Sequence, residues 1–167
     1  YFDGKQWKES TSGKRLSVYS PIDNSVVGEL QVVAPAEIDE VLKTTRDAQI
    51  AWEATPLNER VKIVHLAADW IRHYEPYLTE LLAREIGKTA SEAKSEIVRT
   101  ADLTDYFADE VQSIRGETLD SDNFPGYDKG RIAVIERVAH GVVLAIAPFN
   151  YPVNLAASKI APALLMG

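Results

Sequence analysis

Asn150 is the side chain in this sequence best placed to do chemistry. It closes the break Pro148-Phe149-Asn150, which interrupts an apolar run at residues 142–147. The run lacks polar alternation and has the length of a strand, so it predicts a parallel strand buried on both faces. Pro152 suits the first turn of a helix, where its missing N–H costs nothing. Val153, Leu155, Ala156, Ile160 and Leu164 follow at roughly helical spacing. The segment therefore reads as strand, tight turn, helix, with Asn150 at the strand's carboxyl end, where open α/β sheets bind ligands. An amide held there can donate to an oxygen that gains negative charge in a transition state, worth about 3–4 kcal/mol in acyl transfer. The same position is close to a helix N-cap, which asparagine fills equally well. On the residues alone both readings stand.

Other chemistry-bearing side chains point to less. His65 and His73 share one helix but stand eight apart rather than four, and His140 is remote, so no metal pair is expected. The carboxylates are spread over helix surfaces and read as solvation. Lys159 reads as a helix-surface lysine, and Arg99, mid-helix, as a solvated arginine. The chain has no cysteine, hence no disulfide framework and no thiolate of its own, which is compatible with the expected cytoplasmic location. A net charge of −7 argues against a partner held by its phosphate backbone, so no nucleic acid is expected. No apolar run approaches a membrane span.

The elements that position Asn150 can be read in order. Residues 16–20 and 26–33 read as a hairpin around Pro21-Ile22-Asp23-Asn24. A helix is expected over residues 35–53, with Ile38, Val41, Leu42, Thr45, Ala48 and Trp52 on one apolar stripe. A second covers residues 57–74, with Val64, Ala67, Trp70 and Ile71 inward. A third covers residues 77–86, opened by Pro76 and ended by Gly87. The fourth starts at a capping box, Thr89-Ala90-Ser91-Glu92, and runs to about Arg115, burying Ile97, Ala101, Val111 and Ile114. Residues 116–130 are polar and read as a loop. Residues 131–139 read as a half-exposed strand, with Ile132, Val134 and Val138 on one face and Arg131, Ile135 and Arg137 on the other.

The run AIAPFNYPVNLAASKIAPALLMG resembles the signature of the aldehyde dehydrogenase superfamily, Pro-x-Asn-x-Pro followed by Pro-Ala-Leu and Gly. The version here, with EIVRTA at residues 96–101, is most similar to the non-phosphorylating glyceraldehyde-3-phosphate dehydrogenase branch. The resemblance covers essentially the whole chain, as the amino-terminal part of such an enzyme. It implies an α/β fold in which amino-terminal helices and oligomerisation strands lead into the first strand-helix unit of a Rossmann-like cofactor domain. The implied divisions are residues 1–130 (hairpin and helices), 131–139 (oligomerisation strand) and 140–167 (strand-turn-helix). That last unit needs a further parallel strand, so the chain is expected to be a fragment of a longer protein.

By the same resemblance, Asn150 matches the motif asparagine that stabilises the oxyanion and contacts the substrate. Ile146, Ala147, Pro148 and Phe149 would lie against a nicotinamide cofactor, NADP or alternatively NAD. Arg99 and Tyr151 would contact a phosphorylated substrate, the guanidinium fork matching phosphate oxygens. The missing GxGxxG loop carries no weight, because this superfamily binds its cofactor without it. The nucleophilic cysteine and base glutamate of the family lie beyond Gly167. The expected activity is oxidation of glyceraldehyde 3-phosphate to 3-phosphoglycerate by a homo-oligomer, a dimer or tetramer. The alternatives are an NAD(P)-dependent dehydrogenase of another small aldehyde (a semialdehyde or lactaldehyde) and a non-catalytic assembly module.

Overall fold

Asp23 and Asn24 turn the amino-terminal segment back on itself. Asn24 takes a left-handed backbone, φ 58°, which asparagine tolerates better than most residues. The Asp23 carboxylate accepts from the Ser25 N–H at 3.0 Å and hydroxyl at 2.7 Å. Strands β1 (Arg15–Tyr19) and β2 (Val26–Gln31) thereby pair antiparallel, Arg15 opposite Gln31 and Val18 opposite Gly28, as the hairpin pattern predicts. The computed structural model describes residues 1–121, 125, 126 and 130–167.

Four helices follow in succession: α1 (Pro35–Ala54), α2 (Leu57–His73), α3 (Glu75–Ile86) and α4 (Ala90–Glu110). Each begins and ends where local chemistry allows. Pro35 sits at the start of α1, and Gly87 closes α3 in a left-handed conformation, φ 71°, with its N–H on the Ala83 carbonyl. The expected capping box opens α4: the Glu92 N–H donates to the Thr89 hydroxyl, and the Glu92 carboxylate accepts from the Thr89 N–H, both at 3.2 Å. α4 ends earlier than predicted, passing into one 3₁₀ turn, Val111–Ser113, so Ile114 and Arg115 lie outside it and Ile114 is exposed.

Helix α4 is the centre of the fold, packing against α2, α3 and α5 (Pro152–Met166). Its buried stripe is Ala93, Glu96, Ile97, Thr100, Ala101, Thr104 and Ala108. The three alanines leave room for neighbouring helices to approach. The two threonines return their hydroxyls to carbonyls one turn back, Thr100 to Glu96 at 2.7 Å and Thr104 to Thr100 at 2.8 Å. On one side lie Val61, Val64, Val111, Ala161 and Leu165; on the other, Leu82, Ala93 and Ile97 with Val153 against them.

Several inward faces differ from expectation. α2 buries Val61, Val64 and Ala68, while Ala67 and Trp70 are exposed; the face that meets α4 is rotated from the one the aromatic suggested. α5 buries Ala161 and Leu165, while Ile160 and Leu164, among the apolar residues at helical spacing, are exposed. Those two line an apolar groove of about 500 Å³ with residues of α1 and of 141–145. Ile38, Leu42, Thr45 and Ala48 of the expected α1 stripe are likewise exposed, because that stripe meets no helix of the bundle face-on.

The expected loop at residues 116–130 contains a strand, β3 (Glu117–Asp120); residues 122–124 and 127–129 of that loop lie outside the described residues. β3 pairs antiparallel with β4 (Ile132–Ile135), Glu117 opposite Ile135 and Asp120 opposite Ile132. Gly116 makes this junction possible, since a Cβ there would stand 2.2 Å from the Ile135 carbonyl oxygen. β4 is shorter than the strand predicted over residues 131–139, and all four of its residues are exposed rather than one face.

The predicted strand at residues 142–147 forms no ladder with any described residue, and Leu144 and Ile146 are 83% and 71% exposed. A parallel strand takes both its hydrogen bonds and its side-chain cover from flanking strands, and the described residues supply none. No described helix is long and apolar enough to cross a membrane.

Before β1, the arm is held by one carboxylate on α1. Glu37 accepts from the Ser10 hydroxyl at 2.6 Å, the Thr11 N–H at 2.8 Å and the Ala34 N–H at 2.8 Å. These donors, Ser10 foremost, hold its pKa at about 2, below the usual 4.5. A depressed carboxylate contributes stability that is complete above about pH 4.5 and is lost as the pH falls towards 2. Glu37→Gln is expected to lower the melting temperature at neutral pH, with the two curves of Tm against pH converging at the acid end.

Candidate active site

The first turn of α5 is held from another helix. Pro152 occupies its first position, where no N–H is needed. The next two N–H groups, of Val153 and Asn154, would be left without partners at a helix start. Both donate to one oxygen of Glu96 on α4, at 3.0 and 3.2 Å. The other Glu96 oxygen accepts from the Lys88 ammonium. Glu96 is fully buried and Lys88 only 15% exposed in its side chain. A carboxylate in that position is satisfied on both oxygens, by a cation and by the positive end of a helix.

Lys88 has a second contact. Its Nζ lies 3.6 Å from the centroid of the Tyr151 ring, a cation–π geometry. Tyr151 is the residue immediately before the helix, with φ −139° and ψ 64°. Glu96 and Lys88 thus fix the turn from two sides, through the backbone of Val153 and Asn154 and through the ring of Tyr151. Asn154 is tied in again by its amide, 3.4 Å from the Thr100 hydroxyl.

Arg99, Tyr151, Asn154, Leu155 and Glu96 line one cavity of about 290 Å³. Two residues far apart in sequence, Arg99 and Tyr151, are brought together there. Arg99 is exposed, so the surface arginine and the cavity-lining arginine are the same side chain. Asn150 is outside the cavity lining and next to Tyr151. It does not cap the helix: the N-cap residue is Tyr151, and the capping work is done by Glu96. The Asn150 side chain is exposed and makes no hydrogen bond to any described residue. Ile146 and Phe149 are exposed too, Phe149 at 82%, and make the segment before α5 apolar at this end. Ala147 is half-buried and Pro148 exposed beside them.

Glu96, Lys88 and Asn154 are the residues that the reading of the sequence missed. Reading the carboxylates as solvation is wrong for Glu96, which sits at helical spacing from Ala93, Ile97 and Thr100, in the middle of a buried stripe. A carboxylate at such a position is the available signal, because burial without partners would be too costly to retain. Lys159, read as a surface lysine, is half-buried and donates to the Leu155 carbonyl at 3.0 Å. His65 is engaged with Asp105 at 2.7 Å and Asp109 at 3.4 Å.

Residues 7–167 match the model of the aldehyde dehydrogenase family. The chain belongs to that family. It is 41% identical over its whole length to NADP-dependent glyceraldehyde-3-phosphate dehydrogenase of Pisum sativum. A crystal structure of NADP-dependent glyceraldehyde-3-phosphate dehydrogenase from Bacillus halodurans C-125, complexed with NADP, superposes with a TM-score of 0.94 at 41% identity, over 99% of this chain. An NAD-dependent benzaldehyde dehydrogenase from Corynebacterium glutamicum gives 0.87 at 33% identity, over 98% of this chain. The chain spans about a third of each: 34%, 34% and 35%. The aldehyde dehydrogenase fold is α/β, and the motif resemblance at residues 145–167 was a true guide to it.

Removing the Glu96 carboxylate should be felt in stability. Glu96→Ala leaves a largely buried ammonium and two helix N–H groups without their partner, a loss of about 3–5 kcal/mol by analogy with other broken buried pairs. Glu96→Gln should cost less, because its amide oxygen still accepts from Val153 and Asn154. Urea unfolding midpoints of the two variants check the order.

Proposed function

We propose that this chain is the amino-terminal part of an NADP-dependent, non-phosphorylating glyceraldehyde-3-phosphate dehydrogenase. In this reading, aldehyde, water and oxidised cofactor give 3-phosphoglycerate, reduced cofactor and two protons. The observation that carries the reading is the shared cavity of Arg99 and Tyr151 beside an unbonded Asn150 amide. The likeness to enzymes of that name over the entire chain supports it.

The roles follow from the side chains. Arg99 meets the substrate phosphate, where its planar fork gives two parallel charge-assisted bonds. Tyr151 forms the wall of the same cavity. Asn150 donates its N–H to the former aldehyde oxygen as that oxygen becomes negative, a service an amide already committed to a cap could not give. The exposed apolar end made by Ile146, Ala147, Pro148 and Phe149 fits the flat face of a nicotinamide ring. NADP bound there supplies the hydride acceptor. The sulfur nucleophile and the base for hydrolysis come from residues outside this chain, which contains no cysteine. The exposed residues Ile132, Val134 and Val138 are proposed as part of a subunit contact in a dimer or tetramer.

Two substitutions in the complete protein test this. Asn150→Ala is expected to lower kcat by about 10²–10³-fold, the usual cost of one oxyanion donor. Arg99→Leu should raise KM for the phosphorylated aldehyde much more than for an unphosphorylated one of similar size, measured by steady-state kinetics. Equal changes would remove the phosphate role, and a clear preference of the parent protein for an unphosphorylated aldehyde would overturn the substrate.

A further inference from the structure

We propose that Glu96 and Lys88 form a buried clamp that positions Asn150 for catalysis, acting on rate through that amide rather than on binding. The inference rests on Asn150 being the oxyanion donor and adds what aims it.

Three observations carry it. First, the Asn150 side chain has no hydrogen bond of its own to the described residues, so its placement depends on the backbone that carries it. Second, that backbone is fixed at two points from α4 and the turn before it. Glu96 takes the N–H groups of Val153 and Asn154, three and four residues on, and Lys88 holds the ring of Tyr151, the very next residue. Third, the clamp has no freedom to wander. Glu96 is anchored in the buried stripe of α4 between Ala93 and Thr100, and Val153 packs on the cluster of Leu82, Ala93 and Ile97. Displacing a reacting group by about 1 Å can cost on the order of 10²-fold in rate. A turn held by two charges and a ring is a means of preventing that.

A pair whose sole task was to hold the fold together would show a different signature. An apolar pair of similar volume often replaces a buried ion pair at no cost in stability. Lys88→Met with Glu96→Met leaves no unpaired ion but does strip the Val153 and Asn154 N–H groups of their acceptor, so it should fold with a lowered melting temperature and lose the clamp. In the complete enzyme we expect this double variant to lose kcat by at least about tenfold, part of what the donor itself is worth, with KM for the cofactor within about twofold of the parent. Glu96→Gln keeps the acceptor but loses the charge pairing, and should show a smaller loss of the same kind, confined to kcat.

The decisive measurement repeats these changes in an Asn150→Ala background. Groups that act as a unit are non-additive, so the clamp variants should lower kcat there by no more than about twofold further. Folding of each variant is read by circular dichroism and thermal melting, and Glu96→Gln carries the test if the double variant fails to fold. Full kcat in either folded variant, or an undiminished loss on top of Asn150→Ala, overturns the clamp while leaving the donor reading intact. Asn150→Ala at the parent rate overturns both.

Discussion

One buried carboxylate joins the two halves of this structure that matter for chemistry. Glu96 is on the central helix, and what it binds is the start of the last one. Without it, α5 would begin with two unpaired N–H groups inside the protein, and the Lys88 ammonium would face the Tyr151 ring with no counter-charge. A fully buried ion is tolerable only when its partners are complete. Here they are, one oxygen satisfied by two amides and the other by an ammonium. The same completeness makes the arrangement specific. Few other placements of α5 against α4 would satisfy so many groups at once.

The rest of the helical bundle can be understood as support for that contact. Small residues on α4 let α2, α3 and α5 come close, and the two threonines return their hydroxyls to the helix's own carbonyls, so Glu96 is the one charged group of the buried stripe. At its other end α5 is held by α1: Gln49 donates to the Gly167 carbonyl and the Trp52 indole to that of Leu164. The helix is therefore held at both ends by side chains from elsewhere that bond backbone groups there. α1 in turn is joined to the amino-terminal arm through Glu37. A chain of capping contacts, rather than one continuous apolar core, leads from the arm to the turn that bears Asn150.

Much of this was legible in the sequence where the signal is local. The hairpin turn at Asp23-Asn24, the capping box at Thr89, the stop at Gly87 and the start at Pro152 all depend on residues within one turn of each other. The motif around Asn150, with EIVRTA, was enough to place the family. What failed was long-range. Which face of α2 or α5 is buried depends on where α4 lies, and an apolar residue such as Trp70 or Ile160 gives no hint that it faces away. Residues 142–147 have the composition of a buried strand, but a strand is a relation between segments, and no described segment pairs with them. The most consequential miss was Glu96, dismissed as one acidic residue among many. Its identity was in the motif, but its role required α5 to be in place.

The same contact leaves the N–H groups of Val153 and Asn154 no longer free for a phosphate. In doubly wound folds the first strand leads to a helix whose free N–H groups receive the pyrophosphate, with glycines permitting the approach. Here the N–H groups at the start of α5, those of Val153 and Asn154, already donate to Glu96 at ordinary hydrogen-bond distances. An incoming phosphate would have to displace a buried carboxylate that is itself paired with Lys88, and would gain no donor that is not already in use. With Glu96 holding that turn, glycines there would add flexibility to a fixed contact, and proline at its first position is the better residue.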